Sequence, residues 1–167
     1  TAAMRPRPHE AVGYATRIAL RELGRRAVYL ADEIDRVDAL IAPLLTARAP
    51  TLLALPGVGP DTAAILLIAA GDHPDRLRSE AAWAHLCGAA PIPASSGKIT
   101  RRRLNPAGDR QANHALWRVV FSRMSFEPRT RAYVERRTDE GLSKLEIIRC
   151  LKRYVAREVY PHLLRGD

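Results

Sequence analysis

The sequence predicts a mostly α protein: a long N-terminal coiled-coil helix followed by a compact helical bundle that carries one long basic loop. Three observations predict it. Aromatics are only 5% of the 167 residues while apolar residues are 47%, most of them Ala, Leu, Ile and Val, a mix that favours helices over sheets. Leu20, Leu23, Ala27, Leu30, Ile34, Val37, Ile41 and Leu44 recur at alternating spacings of three and four, a strict heptad. Downstream, caps and breakers bracket a series of shorter apolar periodic stretches.

The first helix is expected from about Glu10 to Leu45, after a leader punctuated by Pro6 and Pro8. Leu20, Ala27, Ile34 and Ile41 occupy one core position of the heptad, and Leu23, Leu30, Val37 and Leu44 the other. Arg21, Glu22, Arg25, Arg26, Asp32, Glu33, Asp35, Arg36 and Asp38 form a solvated face between them. Such a seam joins two chains or packs on another helix of the same chain. Pro50 and Thr51 break the helix, so two units are expected, 1–50 and 51–167.

A short helix, the tight turn Pro56-Gly-Val-Gly-Pro60 and a helix from Asp61 to Ala70 come next, with Pro60 suited to the first turn and Gly71 to the stop. Ser79 caps a helix that Gly88 stops. Residues 89–108 are rich in Pro, Gly, Ser and Arg and read as an irregular loop, with a short strand at Lys98–Leu104. Asp109 caps a helix to about Met124, and a short helix follows Pro128 and ends at Gly141. Ser143-Lys-Leu-Glu146 is a capping box that opens a helix to about Tyr160.

Charge divides the chain. Residues 1–96 hold 10 basic and 10 acidic residues, whereas residues 97–167 hold 17 basic and 8 acidic, so the whole excess of +9 lies in the second part. A one-sided basic excess is the footprint of a polyanion binder. No apolar run approaches the roughly 18 residues of a membrane span, which excludes an integral helical membrane protein. The start lacks the apolar stretch of a signal peptide, so a cytoplasmic location is expected. An initial Thr with an internal Met4 suggests a piece of a longer chain. Cys87 and Cys150 have no second Cys or His at a ligand spacing, so no zinc site is expected and both read as buried free thiols.

Two stretches carry candidate chemistry. The turn Leu55-Pro-Gly-Val-Gly-Pro60 resembles the hairpin of the helix-hairpin-helix DNA-binding motif, in which amides at Gly57 and Gly59 would face a phosphate. One departure is Asp61, an acid that would repel a phosphate; the alternative is a tight helix–helix corner buried in the core, supported by the apolar run Ala63–Ala70, and the residues leave the two readings equally open. The second stretch is Ser95-Ser-Gly-Lys-Ile-Thr-Arg-Arg-Arg103. A serine attacking a phosphodiester needs exposure, backbone freedom and nearby cations; Gly97 supplies the freedom, and Lys98, Arg101, Arg102 and Arg103 the charge. With no general base nearby in sequence, the residues alone favour a basic strap that touches a nucleic-acid backbone. Walker and nucleophile-elbow patterns are absent.

The blocks LPGVGPDTAAILLIAAGD, AAWAHLCGAAPIPASSGK and RRRLNPAGDRQANHALWRVV, in this order, resemble the C-terminal half of the insertion-sequence 110 family of transposases, also called the 116/902 type. The resemblance covers about Thr51 to Glu158. It implies a site-specific DNA recombinase in which an acidic RuvC-like domain holding a divalent metal comes first, a coiled coil follows, and a C-terminal domain supplies a serine directly before a glycine. That serine falls on Ser96, so the resemblance reverses the preference for a strap. Arg101 to Arg103 and the Gly108-Asp109-Arg110 helix start match as well. The implied partners are DNA, a guide RNA and further copies of the chain. Nothing in residues 1–50 supplies the strands or carboxylates of the metal-binding domain, so no cofactor is expected in this stretch and activity of this stretch alone is not.

Overall fold

The computed structural model describes residues 8–71, 77–93 and 102–163. Among them are seven helices and a two-stranded antiparallel ribbon, so the mostly α expectation holds. The helices are α1 (Pro8–Arg48), α2 (Pro50–Leu53), α3 (Pro60–Ala70), α4 (Glu80–Leu86), α5 (Arg110–Phe126), α6 (Pro128–Asp139) and α7 (Lys144–Leu163), with strands β1 (Ile92–Pro93) and β2 (Arg102–Arg103) between α4 and α5. Strand β2 lies inside the stretch where a short strand was expected.

The chain separates into two compact units, 1–40 and 41–167. The first is the larger part of α1, 41 residues and roughly 60 Å from end to end at 1.5 Å per residue. Its heptad side chains face solvent: Leu20 is 63% exposed and Ile34 60%, and Leu23, Leu30 and Val37 are exposed too.

The second unit begins within α1, some ten residues before the expected boundary. Leu45 and Ala49 are buried in its core and Ile41 packs against it, whereas Leu44, the heptad's last member, is exposed. From Ile41 onward the burying positions are spaced by four, so the seam of the heptad gives way to an ordinary core-facing stripe. Helix α5 is central: it packs on α3, α6 and α7 and buries Ala112, Ala115, Leu116, Val119 and Val120. Helix α7 supplies Ile147, Ile148, Leu151, Val155 and Val159 from the other side. Trp83 on α4 is wholly buried and is the largest core side chain.

The caps read from the sequence form. Ser79 Oγ accepts from the Ala82 amide at 3.1 Å, and Asp109 Oδ1 from the Ala112 amide at 2.8 Å. Ser143 and Glu146 exchange both bonds of the capping box, at 2.9 and 3.4 Å. Gly71, Gly88 and Gly141 take positive φ at three helix ends.

Candidate nucleic-acid interface

The hairpin between α2 and α3 is held from below by α5. Gly57 has φ +75°, and a Cβ there would lie 3.2 Å from Arg123 Cγ and 3.3 Å from the Val119 carbonyl oxygen. Arg123 is buried; its Nε donates to the Pro56 carbonyl at 2.7 Å and its Nη1 to Glu158 at 2.6 Å. Gly57 and Val58 therefore belong to a packed corner. Gly59 does not: it is exposed, caps α3 and has nothing within 4 Å of an added Cβ. Asp61, in the first turn of α3, pairs with Arg118 of α5, which offsets the negative charge that would repel a phosphate there.

A second corner joins α4 to α5. Three successive carbonyls at the end of α4 are taken up by the chain that returns after β2. Asn105 Nδ2 donates to the His85 carbonyl at 2.9 Å, the Asp109 amide to Leu86 at 2.6 Å, and Asn113 Nδ2 to Cys87 at 2.7 Å. The Leu86 and Cys87 carbonyls are orphan acceptors of a helix C-terminus, and the His85 carbonyl also accepts from the Gly88 amide at 3.0 Å. Burial pushes the Cys87 thiol far up, so it stays protonated and unreactive, as expected of a core cysteine.

Ser96, Ser95, Gly97, Lys98 and Arg101 lie outside the described residues. Their neighbours do not. Pro93 pairs with Arg102 and Ile92 with Arg103, so the chain leaves at 93 and returns at 102 from adjacent positions. Arg103 is exposed, and so is Arg110, the first residue of α5.

Beside this ribbon, between α5 and α7, is a cleft of about 1080 Å³. Gly88–Pro91 and Leu104–Pro106 form one wall, and α5 and α7 the others. Five cations reach it, Arg110, Arg149, Lys152, Arg153 and Arg157, against one acid, Glu146, which is engaged in the Ser143 capping box. Arg153 and Arg157 are anchored by Glu80 of α4. Lys152 donates to Asn113 Oδ1 at 2.8 Å, and burial, helped by Arg149, holds its ammonium below the usual lysine range. An anion entering the cleft would relieve that penalty. Tyr133, behind α7, is pushed up to about 12, chiefly by burial, and remains neutral.

The outer edge of α5 carries a stack of rings that sequence reasoning missed. His114 and Trp117 lie with centroids 5.5 Å apart and planes at 17°, and Trp117 and Phe121 at 5.1 Å and 19°. His114 is exposed, Trp117 is 36% exposed and Phe121 52%. The signal was present: His114, Trp117 and Phe121 are spaced three and four apart, with Arg110 four residues before. The same helix carries a stronger inward apolar stripe, Ala112, Leu116, Val119 and Val120, which masks this outward spacing.

A cationic cleft edged by stacked, solvent-facing rings has the makeup of a nucleic-acid-handling domain. The particular family follows from comparison with known proteins. The chain belongs to the Transposase IS116/IS110/IS902 family, whose model matches residues 49–135. It is 33% identical over 133 residues to the insertion element IS110 43.6 kDa protein of Streptomyces coelicolor, covering 78% of this chain and 33% of that protein. It is 28% identical over 134 residues to the insertion element IS900 42 kDa protein of Mycobacterium paratuberculosis, covering 78% and 34%. The chain thus spans about a third of the length of these relatives. Among the described residues, no three His, Cys, Asp or Glu side chains converge as a metal site would require, and no helix is long and apolar enough to cross a membrane.

Proposed function

We propose that this chain is the coiled-coil and C-terminal catalytic portion of a DNA transposase, and that Ser96 is the nucleophile that cleaves and rejoins strands. What carries the reading is the family match, whose span includes Ser96. The ribbon supports it, since paired strands tether both ends of the Ser96 segment beside a cationic cleft.

In this reading Ser96 Oγ attacks a backbone phosphorus. A bond forms between Oγ and phosphorus as the bond from phosphorus to one sugar oxygen breaks. The serine proton is lost to a base, and the departing sugar oxygen takes up a proton. One phosphodiester replaces another, so a sugar hydroxyl can later reverse the step and join a new strand. Charge gathers on the phosphorane oxygens, and Lys98, Arg101, Arg102, Arg103 and Arg110 are the cations assigned to offset it. The family resemblance places a divalent metal in an acidic domain outside this stretch. A guide RNA, a cytoplasmic location and assembly into homodimers or larger oligomers complete the reading. The exposed heptad supports assembly, because a row of leucine and isoleucine in water is stabilised by pairing with a copy of itself.

The test is covalent trapping. A full-length protein containing this segment is incubated with nicked DNA, denatured and digested. The expected adduct maps to Ser96, disappears in Ser96→Ala and persists in Ser95→Ala. An adduct on Ser95, or one that survives Ser96→Ala, would show the wrong serine. Retained DNA binding without any serine adduct would return the loop to a strap on the phosphate backbone.

A further inference from the structure

The ring stack on α5 has no role in the core. The inward side of the helix already buries Ala112, Leu116, Val119 and Val120. Leaving about a third of Trp117 and half of Phe121 in water forfeits roughly 25 cal/mol for every Å² of apolar surface that burial would have covered. The rings are also ordered relative to one another, near-parallel within 20° across both steps. They form a short column with Trp117 between His114 and Phe121, which leaves ring edges and the outer faces of the end rings open.

The cleft beside them has the opposite character, five cations against one capped acid. His114 and Trp117 line it directly, and Arg110 sits at its rim one turn before His114. A duplex hides its base faces and offers only phosphates and groove edges. An unpaired strand offers both phosphate and a π-face at each nucleotide. Cations and stacked rings side by side match the second.

We propose that the cleft between α5 and α7 receives an unpaired segment of a DNA strand, whose bases extend the ring column at its His114 end and pack against the exposed part of Trp117, while Arg110, Arg149 and Lys152 hold its phosphates. The inference rests on the DNA reading above and adds the form of DNA that this surface takes. A volume of about 1080 Å³ is just above the range of roughly 300–1,000 Å³ typical of small-molecule sites, so it has room for more than one nucleotide. The site does not read sequence through Asn113, because both ends of that amide are occupied, by Lys152 and by the Cys87 carbonyl. Binding through the stack is therefore tolerant of base identity.

Two tryptophans make the test direct. Trp83 is wholly buried and Trp117 is exposed. Titrating the 167-residue protein with oligo-dT should quench Trp117 emission, while Trp83, the one tryptophan left in Trp117→Ala, reports that the variant is folded and responds little. Trp117→Ala should weaken oligo-dT binding by roughly five- to a hundredfold, the range that single-strand stacking sites show, and change affinity for a duplex by less than about twofold. Trp117→Phe should restore most of the loss. Equal weakening of single strand and duplex, or unchanged oligo-dT affinity in Trp117→Ala, would overturn the proposal while leaving the DNA reading intact. Tighter binding of oligo-U than of oligo-dT would move the surface to RNA and overturn it as stated. Self-association that depends on Trp117, with no oligo-dT effect, would make the stack a protein interface instead. Binding of neither single strand nor duplex would overturn the DNA reading as well.

Discussion

Gly88 and Gly108 meet backbone to backbone. A Cβ on Gly108 would overlap the Gly88 amide nitrogen and Cα and lie 3.0 Å from the Cys87 carbonyl carbon. Nothing flexible stands between the two, so neither side has a side chain that could yield. This contact lets the Asp109 amide reach the Leu86 carbonyl and brings α5 onto the end of α4.

Gly108→Ala is therefore expected to lower stability by about 1–3 kcal/mol, the usual cost of overpacking. Gly57→Ala should cost a similar amount, because φ is +75° and the added Cβ crowds α5. Gly59→Ala is the control: with φ −91° and open space around it, it should change stability by less than about 0.5 kcal/mol. Urea unfolding of the three variants checks this ordering.

Arg123 ties the hairpin to α7 through the Pro56 carbonyl and Glu158. Arg123→Met keeps much of the buried stem but removes both bonds. Hydrogen bonds to charged groups contribute about 1.5–3 kcal/mol, so a loss of that order is expected by thermal or urea melting. A variant as stable as the parent would show that the corner does not depend on this residue.

Glu127 caps α6, accepting from the Thr130 amide at 2.6 Å and the Arg129 amide at 3.3 Å. The Thr130 side chain, aided by these amides and the charge of Arg123, holds its carboxyl below the ordinary 4.5 against the opposing effect of burial. A depressed folded value means that ionised Glu127 stabilises the fold. That contribution is complete above about pH 4.5 and is lost as pH falls through the lower folded value. Glu127→Ala should cost about 1 kcal/mol at neutral pH, the worth of an N-cap. The difference from the parent should shrink on acidification below pH 4.5. A gap that widens there would contradict the assignment.

The proposed pairing of α1 is tested by Leu30→Asp, which puts a charge in the middle of the heptad. Sedimentation of the parent should give at least twice the monomer mass, and the variant should fall toward the monomer. A monomeric parent at high concentration, or an unchanged mass in the variant, would remove the heptad as an interface.

The helices were legible because their ends are chemical events. Ser79, Asp109, Ser143 with Glu146, and the glycines at 71, 88 and 141 each settle one terminus by local hydrogen bonding or local φ, and local rules need only local residues. The end of α1 was less legible. Ile41 satisfies both the heptad and the bundle core, and only packing shows that Leu45 rather than Leu44 continues it. The hairpin's two readings were likewise a tertiary matter: Arg123, 67 residues beyond Pro56, is what turns Gly57 into a packed corner. The cleft could not be read at all from adjacent residues, because its cations come from the start of α5 and the middle of α7, and its wall from the segment between α4 and α5. The Ser96 assignment remains a product of family likeness, since that residue lies outside the described part of the structure.

The three carbonyl bonds at the end of α4 have a bearing on how the chain would survive being cut. Asn105, Asp109 and Asn113 clasp α4 from the far side of residues 94–101, and β1 grips β2 across the same interval. Helix α4 also packs on α7, and α3 on α5, so each half of the second unit is embedded in the other. A protease that severs the backbone within 94–101 should leave two fragments that co-elute under native conditions and part only in denaturant. The fold would then be a scaffold that tolerates interruption at the one stretch where its proposed chemistry resides, and two separately expressed pieces should reassemble around it. Fragments that separate on a native column would show that the covalent link, and not the clasp, holds the halves together.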